Sequence, residues 1–131
     1  GMAIIWITHD LGVIAGIADR VVGMYGGQVV EQAPVSELFA NPQHPYTRAL
    51  LKTIPKISGP RDARLKVIEG QPPILGAPLT ACPFRARCDH RHEACDRSNP
   101  ARRAIDGQAV GRGHDVACHW VAPARTEVAH V

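Results

Sequence analysis

A short run of apolar residues without alternation lies near the start of the sequence. Residues 3–7 read Ala-Ile-Ile-Trp-Ile and are followed by Thr8-His9-Asp10. A continuous, β-branched run of this length is typical of a strand that is buried on both faces of a parallel sheet. The pattern therefore predicts such a strand at residues 3–7. The parallel neighbours that this strand requires have no counterpart in the rest of the sequence.

A helix and a hairpin are predicted next. Asp10 can cap a helix over residues 11–18, because its carboxylate can accept from the first free backbone N–H groups. The apolar positions of that segment recur at helical spacing and form one face. Residues 21–25 and 28–31 flank Gly26-Gly27, and two glycines between apolar runs are a two-residue hairpin signal.

Prolines divide the following segment into two short helices and a connector. Pro34 can start a helix that ends before Asn41-Pro42, and Pro45 can start another that ends before Pro55. Residues 59–81 contain seven glycines and prolines, so we expect an extended connector with one short strand near residues 65–68.

Composition and charge exclude several classes of protein. The 131 residues are 45% apolar and 5% aromatic, and the net charge is +3. Without a lysine tract or a series of stacking aromatics, nucleic-acid binding is not expected. No run reaches the roughly 18 apolar residues that span a bilayer, and no signal peptide is recognisable. A cytosolic location follows as the expectation, and cytosolic cysteines favour metal ligation or free thiols over disulfides.

All four cysteines lie beyond the connector, with the spacing C-x5-C-x6-C-x22-C. Structural zinc sites usually pair their ligands more closely, whereas iron–sulfur clusters tolerate wider gaps. Spacing alone leaves a metal site and unligated thiols equally open. Seven arginines lie between the first and last cysteine and could offset thiolate charge or form a solvated face. The residues concerned are Cys82, Cys88, Cys95 and Cys118, with His90, His92, His114 and His119 as nearby surface histidines that could substitute as ligands.

His9 is the candidate catalytic residue. It would follow the predicted strand, where residues of open α/β sheets face the ligand crevice, and an imidazole there can contact a phosphate or orient a water. A structural cap is the alternative. The sequence contains no G-x-x-x-x-G-K-[ST] phosphate loop and no strand ending in Asp-Glu for magnesium. One histidine without these partners cannot transfer a phosphoryl group, so we expect no ATP hydrolysis by this chain alone.

Eight short strings, spread over about residues 3–120, carry a recognisable pattern. They are Thr8-His9-Asp10; Ala18-Asp19-Arg20-Val21; Met24-Tyr25-Gly26-Gly27-Gln28-Val29-Val30-Glu31; Asn41-Pro42-Gln43-His44-Pro45-Tyr46-Thr47-Arg48-Ala49-Leu50-Leu51; Gly70-Gln71-Pro72-Pro73; Cys82-Pro83-Phe84; Arg87-Cys88; Val116-Ala117-Cys118-His119. Together they resemble a known family, the ATP-binding subunits of oligopeptide and dipeptide ABC importers. Ala33 is a departure, because that family usually has glycine there.

The resemblance implies an α/β fragment, the end of an ABC-type ATPase domain followed by an irregular cysteine-rich extension. Residues 2–58 would be the ATPase part with the switch histidine His9, residues 59–81 the connector, residues 82–121 the four-cysteine extension and residues 122–131 a tail. The family's extension is associated with a [4Fe-4S] cluster, which the resemblance assigns to Cys82, Cys88, Cys95 and Cys118, with zinc or no metal as alternatives.

The resemblance also implies partners. In an intact subunit, ATP and Mg²⁺ would close a dimer with a second ABC ATPase subunit and drive import through membrane permease subunits at the cytoplasmic membrane. Three other interpretations remain: an independent metal-binding interaction module, a truncated reading frame without activity, and a free-standing enzyme. An exposed apolar strand at residues 3–7 would invite pairing, so we expect a homodimer or a strand-swapped oligomer of the isolated chain.

Overall fold

A β-hairpin forms the centre of the structure, a computed structural model that describes residues 1–55, 67–76 and 78–120. Strands β1 (Arg20–Tyr25) and β2 (Gln28–Pro34) pair antiparallel, with a bulge after Gly23. Gly26 and Gly27 have φ angles of 59° and 79°, the left-handed region that glycine adopts without steric cost. The hairpin predicted from the glycine pair is therefore confirmed.

Two further strands extend the hairpin into a four-stranded antiparallel sheet. They are β3 (Arg103–Ala104) and β4 (Asp115–Val116), each two residues long, and the strand order is β1-β2-β4-β3. β4 pairs with β2 through the Glu31–Val116 and Gln32–Asp115 positions. The predicted α/β class is confirmed, but the extension that the sequence indicated to be irregular contributes two strands to the central sheet.

The described residues also form several short helices. They are α1 (Leu11–Ile14), α2 (Val35–Ala40), α3 (Pro45–Lys52) and α4 (Glu93–Arg97), with a 3₁₀ turn at Arg85–Arg87. The Asp10 carboxylate caps α1 by accepting from the backbone N–H groups of Gly12 and Val13 at 2.9 and 3.3 Å. The two proline-initiated helices are confirmed as α2 and α3. α1 ends earlier than predicted, and residues 15–17 form turns after it.

Two apolar clusters stabilise the hairpin at its two ends. At the open end, Ile14, Val21, Ala33 and Leu38 are buried together. At the turn end, the cluster consists of Tyr25, Val30, Phe84 and two cysteines, with Tyr46, Ile68 and Cys88 packed against it. The Tyr25 and Phe84 rings meet edge to face at 5.1 Å, a favourable geometry for aromatic pairs. The second cluster therefore joins the hairpin to the cysteine-containing segment.

The buried strand predicted at residues 3–7 is wrong for this structure. These residues form no regular secondary structure, and Ile5 and Ile7 are 92% and 94% exposed. A doubly buried strand depends on hydrogen-bonded neighbours on both sides, and the described residues provide none at this position. The outer face of β1 is also apolar and open, with Val22 and Met24 about half exposed.

The connector is only partly described. Residues 67–76 have no regular secondary structure, so the strand expected near residues 65–68 is absent from residues 67 and 68; residues 65 and 66 lie outside the described part. The expected tail at residues 122–131 also lies outside it. Among the described residues, no helix combines the length and apolar character needed to cross a bilayer.

Candidate functional site

The structure brings the four cysteines into one region beside the hairpin. Cys82, Cys95 and Cys118 are buried, Cys88 is half-buried, and none forms a disulfide. The backbone N–H of Cys82 donates to the carbonyl of Cys95 at 2.9 Å, and both side chains pack in the cluster around Phe84. Cys118 follows Ala117, whose N–H donates to the Val30 carbonyl at 2.8 Å. The segment containing Cys118 is therefore fixed against β2.

The thiols share one electrostatic environment. Burial, together with smaller contributions from the charges of the other three thiolates, raises the pKa of Cys118 to about 11. Burial also raises the pKa values of Cys82 and Cys88, again with contributions from neighbouring cysteines. Backbone N–H groups oppose these shifts, because Cys88 Sγ accepts from His90 and Cys118 Sγ accepts from Trp120, each at 3.3 Å. The sulfur atoms thus lie within electrostatic range of one another.

This region has the donor atoms of a metal centre but not their arrangement around a metal ion. Four soft thiol donors with directed N–H groups are the donor chemistry of iron–sulfur and zinc centres. However, in residues 1–55, 67–76 and 78–120 no three His, Cys, Asp or Glu side chains are arranged as a metal site. The donor set fits a thiolate-bound centre, while the sulfur positions do not form one.

The histidines around the cysteines have individual contacts. His92 Nδ1 lies 3.5 Å from Cys95 Sγ, and His119 Nε2 lies 3.0 Å from the Ser98 carbonyl. The His90 ring stacks on Trp120. These three histidines are not fully buried, as expected for surface residues. His114 is different, because it is 2% exposed and the expectation of a surface histidine is wrong for it.

His114 belongs to a buried polar network centred on Glu31. Glu31 is completely buried, and its Oε1 accepts from His114 Nε2 at 2.7 Å. The same carboxylate accepts from the backbone N–H groups of Gln43 and His44 at 2.7 and 2.8 Å. One side chain of β2 therefore bonds to the loop before α3 and to the residue before β4. The spacing of apolar positions gave no signal for this network.

A second buried carboxylate, that of Asp115, lies on the strand next to β2. Asp115 on β4 accepts from Gln32 Nε2 at 3.2 Å and from the Gly111 backbone at 3.3 Å. The Arg102 guanidinium lies 3.6 Å from the Asp115 carboxylate. A buried charge requires such partners, because an uncompensated one costs several kcal/mol. Glu31 and Asp115 together fix β4 against β2.

His44 caps α3. Its Nδ1 accepts from the backbone N–H of Tyr46 at 3.0 Å, so Nε2 bears the proton of the neutral ring. The side chain is 1% exposed, and burial lowers its pKa from 6.5 to about 4, although the nearby Glu31 charge acts in the opposite direction. Pro45, which the sequence predicted to start this helix, follows the cap directly.

His9 lies apart from the cysteines. It is exposed, directly before the Asp10 cap of α1, in a shallow pocket of about 230 Å³ whose other lining residues include Thr53 and Ile54 just after α3. The Asp10 N–H donates to Thr8 Oγ1 at 3.0 Å, which fixes the turn that presents His9. The described residues thus place His9 and the cysteines at separate positions.

An open cleft of about 1250 Å³ lies between α3, the connector and the 3₁₀ turn. Arg87 lines this cleft. Its guanidinium donates to the carbonyls of Ile68 and Glu69, each at 2.9 Å, and to the Tyr25 hydroxyl at 3.2 Å. Gly70 permits this approach, because a Cβ there would lie 3.0 Å from Arg87 Cγ. Arg87 therefore joins the connector to the extension.

The buried neutral ring of His44 predicts a pH dependence of stability. The unfolded chain binds a proton near pH 6.5, whereas folded His44 resists protonation until about pH 4. Its contribution to the free energy of unfolding is complete above pH 6.5 and decreases by about 3 kcal/mol as the pH falls to 4. Urea denaturation of wild type and His44→Asn at several pH values measures this difference. The Asn side chain keeps a capping oxygen but does not titrate, so the free energy of unfolding of His44→Asn should change less with pH than that of wild type. An equal pH dependence of the two proteins would contradict the prediction.

Comparison with known proteins supports the resemblance drawn from the sequence. The family model described as the C-terminal region of oligopeptide/dipeptide transporters matches residues 30–95. The probable peptide ABC transporter ATP-binding protein y4tR of Sinorhizobium fredii is 44% identical over 118 residues, which cover 90% of this chain and 34% of the relative. The dipeptide transport ATP-binding protein DppD of Bacillus subtilis is 43% identical over 127 residues, 96% of this chain and 36% of the relative.

A third relative is the oligopeptide transport ATP-binding protein OppD of Salmonella typhimurium, 43% identical over 106 residues that cover 81% of this chain and 31% of the relative. The chain spans about a third of the length of these relatives. The residues matched by the family model include most of the hairpin strand β2, the segment with His44 and three of the four cysteines. This chain belongs to the family of oligopeptide/dipeptide transporter C-terminal regions.

Proposed function

We propose that this chain is the C-terminal part of an ATP-binding subunit that energises import of oligopeptides or dipeptides. Membership of the family and the names of three relatives support this function. The sequence has no phosphate loop, so residues outside it would hold ATP and Mg²⁺. The working assembly would include a second ATPase subunit and permease subunits, peripheral to the cytoplasmic face of the membrane.

His9 is the residue of this chain that would act on the nucleotide. Its exposure leaves the imidazole free to approach a γ-phosphate, and the capped α1 fixes the backbone immediately after it. The imidazole would donate a hydrogen bond to a phosphate oxygen and orient the attacking water. Asp10 is occupied by the cap and is not a second catalytic group.

Substitution of His9 tests this role in the intact subunit. His9→Ala should reduce ATP hydrolysis on the order of a hundredfold, because a positioned acid–base group contributes about that much. Nucleotide binding should be retained, since the phosphate loop is unchanged. Val13→Ala, an exposed change on the helix that follows, is the control. ATP hydrolysis at the wild-type rate by His9→Ala would refute the role of His9 at the γ-phosphate. ATP binding by the present chain alone would refute the proposal that residues outside this sequence hold the nucleotide.

We also infer that Cys82, Cys88, Cys95 and Cys118 hold a [4Fe-4S] cluster. The proximity of the thiols and their N–H···S contacts favour this assignment. The bound centre would supply a covalent cross-link among the segments that contain the four cysteines. A structural role fits best, because two of the donors are packed in the apolar cluster around Phe84.

Metal analysis after anaerobic purification tests the cluster. Wild type should contain about four iron atoms and four acid-labile sulfides per chain, with broad visible absorption. Cys118→Ser should lose most of this iron, whereas Ala94→Ser, next to Cys95 but without loss of a thiol, should retain it. Stoichiometric zinc would instead favour the alternative of an independent metal-binding interaction module, and an absence of metal would refute both.

The isolated chain is further proposed to dimerise through residues 3–7. Ile5 and Ile7 are almost fully exposed, and the open edge of β1 offers backbone groups for pairing. Light scattering should give a dimer mass for wild type and a monomer mass for the Ile5→Lys/Ile7→Lys variant. Ile74→Lys is the matched control, because Ile74 is 96% exposed in the connector. A monomeric wild-type chain would rule out this association.

A further inference from the structure

Cys88 and Cys118 share one local arrangement, and the Phe84 backbone N–H acts on Cys82 in a similar way. In each case the backbone N–H two residues further along donates to the sulfur: His90 to Cys88, and Trp120 to Cys118, both at 3.3 Å. Each contact closes a tight turn in which the direction of the sulfur depends on the residue that donates. The orientation of each Sγ is therefore tied to the backbone of an aromatic residue.

The side chains of these two donors contact each other. The His90 and Trp120 rings are stacked with centroids 3.8 Å apart and an interplanar angle of 15°. The Arg48 guanidinium of α3 lies 4.9 Å from the Trp120 ring, and its Nε donates to the Pro42 carbonyl at 2.8 Å. Two turns that are thirty residues apart in the sequence are thus joined by one stack, and α3 supports it.

The other two cysteines are joined differently. The Cys82 N–H donates to the Cys95 carbonyl, and both side chains are buried against Phe84. Cys88 has no corresponding backbone bond to Cys118 among the described residues and is half-buried. Cys82 and Cys95 are therefore joined directly by a backbone hydrogen bond, whereas the turns that contain Cys88 and Cys118 are joined through the stacked rings. Cys88 packs in addition against the apolar cluster around Phe84.

We propose that the His90–Trp120 stack, covered by Arg48, is the positioning element that holds Cys88 and Cys118 together and shields them from solvent. The inference rests on the proposed four-cysteine centre, because it names the residues that pre-organise half of its donors. Trp120 and His90 do not ligate in this arrangement; they act through the direction of the two sulfur atoms. A surface stack without this role would leave thiol reactivity unchanged when it is removed.

Thiol alkylation in the intact, metal-free protein tests the proposal directly. Iodoacetamide labelling with peptide mass spectrometry gives a rate for each cysteine separately. Trp120→Ala should raise the rates of Cys88 and Cys118 about fivefold, equivalent to about 1 kcal/mol for loss of an aromatic contact, and leave Cys82 and Cys95 close to wild type. Trp120→Phe should remain near wild type because Phe can still stack. A uniform increase at all four cysteines, or no increase, would overturn the proposal.

A second measurement uses the iron-loaded protein and separates the two hypotheses. In air, the visible absorption of Trp120→Ala should decay about fivefold faster than that of wild type. Arg48→Ala should lie between them, and Arg112→Ala, which removes an exposed arginine of the extension, should match wild type. If the wild-type protein binds no iron, the cluster is refuted, and the alkylation rates of the four cysteines alone test the role of the stack. Iron-loaded Trp120→Ala that decays at the wild-type rate would refute the stack alone.

Discussion

The buried carboxylate of Glu31 is the interaction on which the described structure most depends. It lies on β2 and is completely inaccessible to solvent, yet it bonds to Gln43, His44 and His114. A buried carboxylate with unmade hydrogen bonds costs several kcal/mol, so these partners are required once the strand is covered. The loop that starts α3 and the residue before β4 must therefore meet at β2.

This constraint makes the cysteine-containing segment part of the central sheet and not an appendage. β4 pairs with β2, and the next residue, Ala117, donates to Val30 before Cys118 is reached. At the turn end of the hairpin, Tyr25 and Phe84 contact each other in the same cluster as Cys82 and Cys95. The cysteines are consequently positioned by the hairpin, and a change in the hairpin would alter the geometry of the proposed metal centre.

Local signals were sufficient for the elements that depend on local physics. Gly26-Gly27 requires positive φ angles, Asp10 caps α1, and Pro45 begins α3, so these elements were correctly predicted. The strand at residues 3–7 was not, because a buried strand depends on neighbours that apolar composition cannot supply. β3 and β4 were missed because two residues give no periodicity. The Glu31–His114 bond joins positions 83 residues apart, and the sequence has no signal for such a pairing.

Helix α3 lies against both candidate sites. Its first turn is fixed by the His44 cap and the Glu31 carboxylate, Arg48 near its middle covers Trp120, and residues after its last turn line the pocket beside His9. Eight helical residues span about 12 Å, so α3 extends from the Glu31 carboxylate at its start to the pocket beside His9 at its end. Between these two ends Arg48 contacts the Trp120 ring, two residues after Cys118. α3 therefore contacts both candidate sites, and its own position depends on the buried Glu31 carboxylate that fixes its first turn.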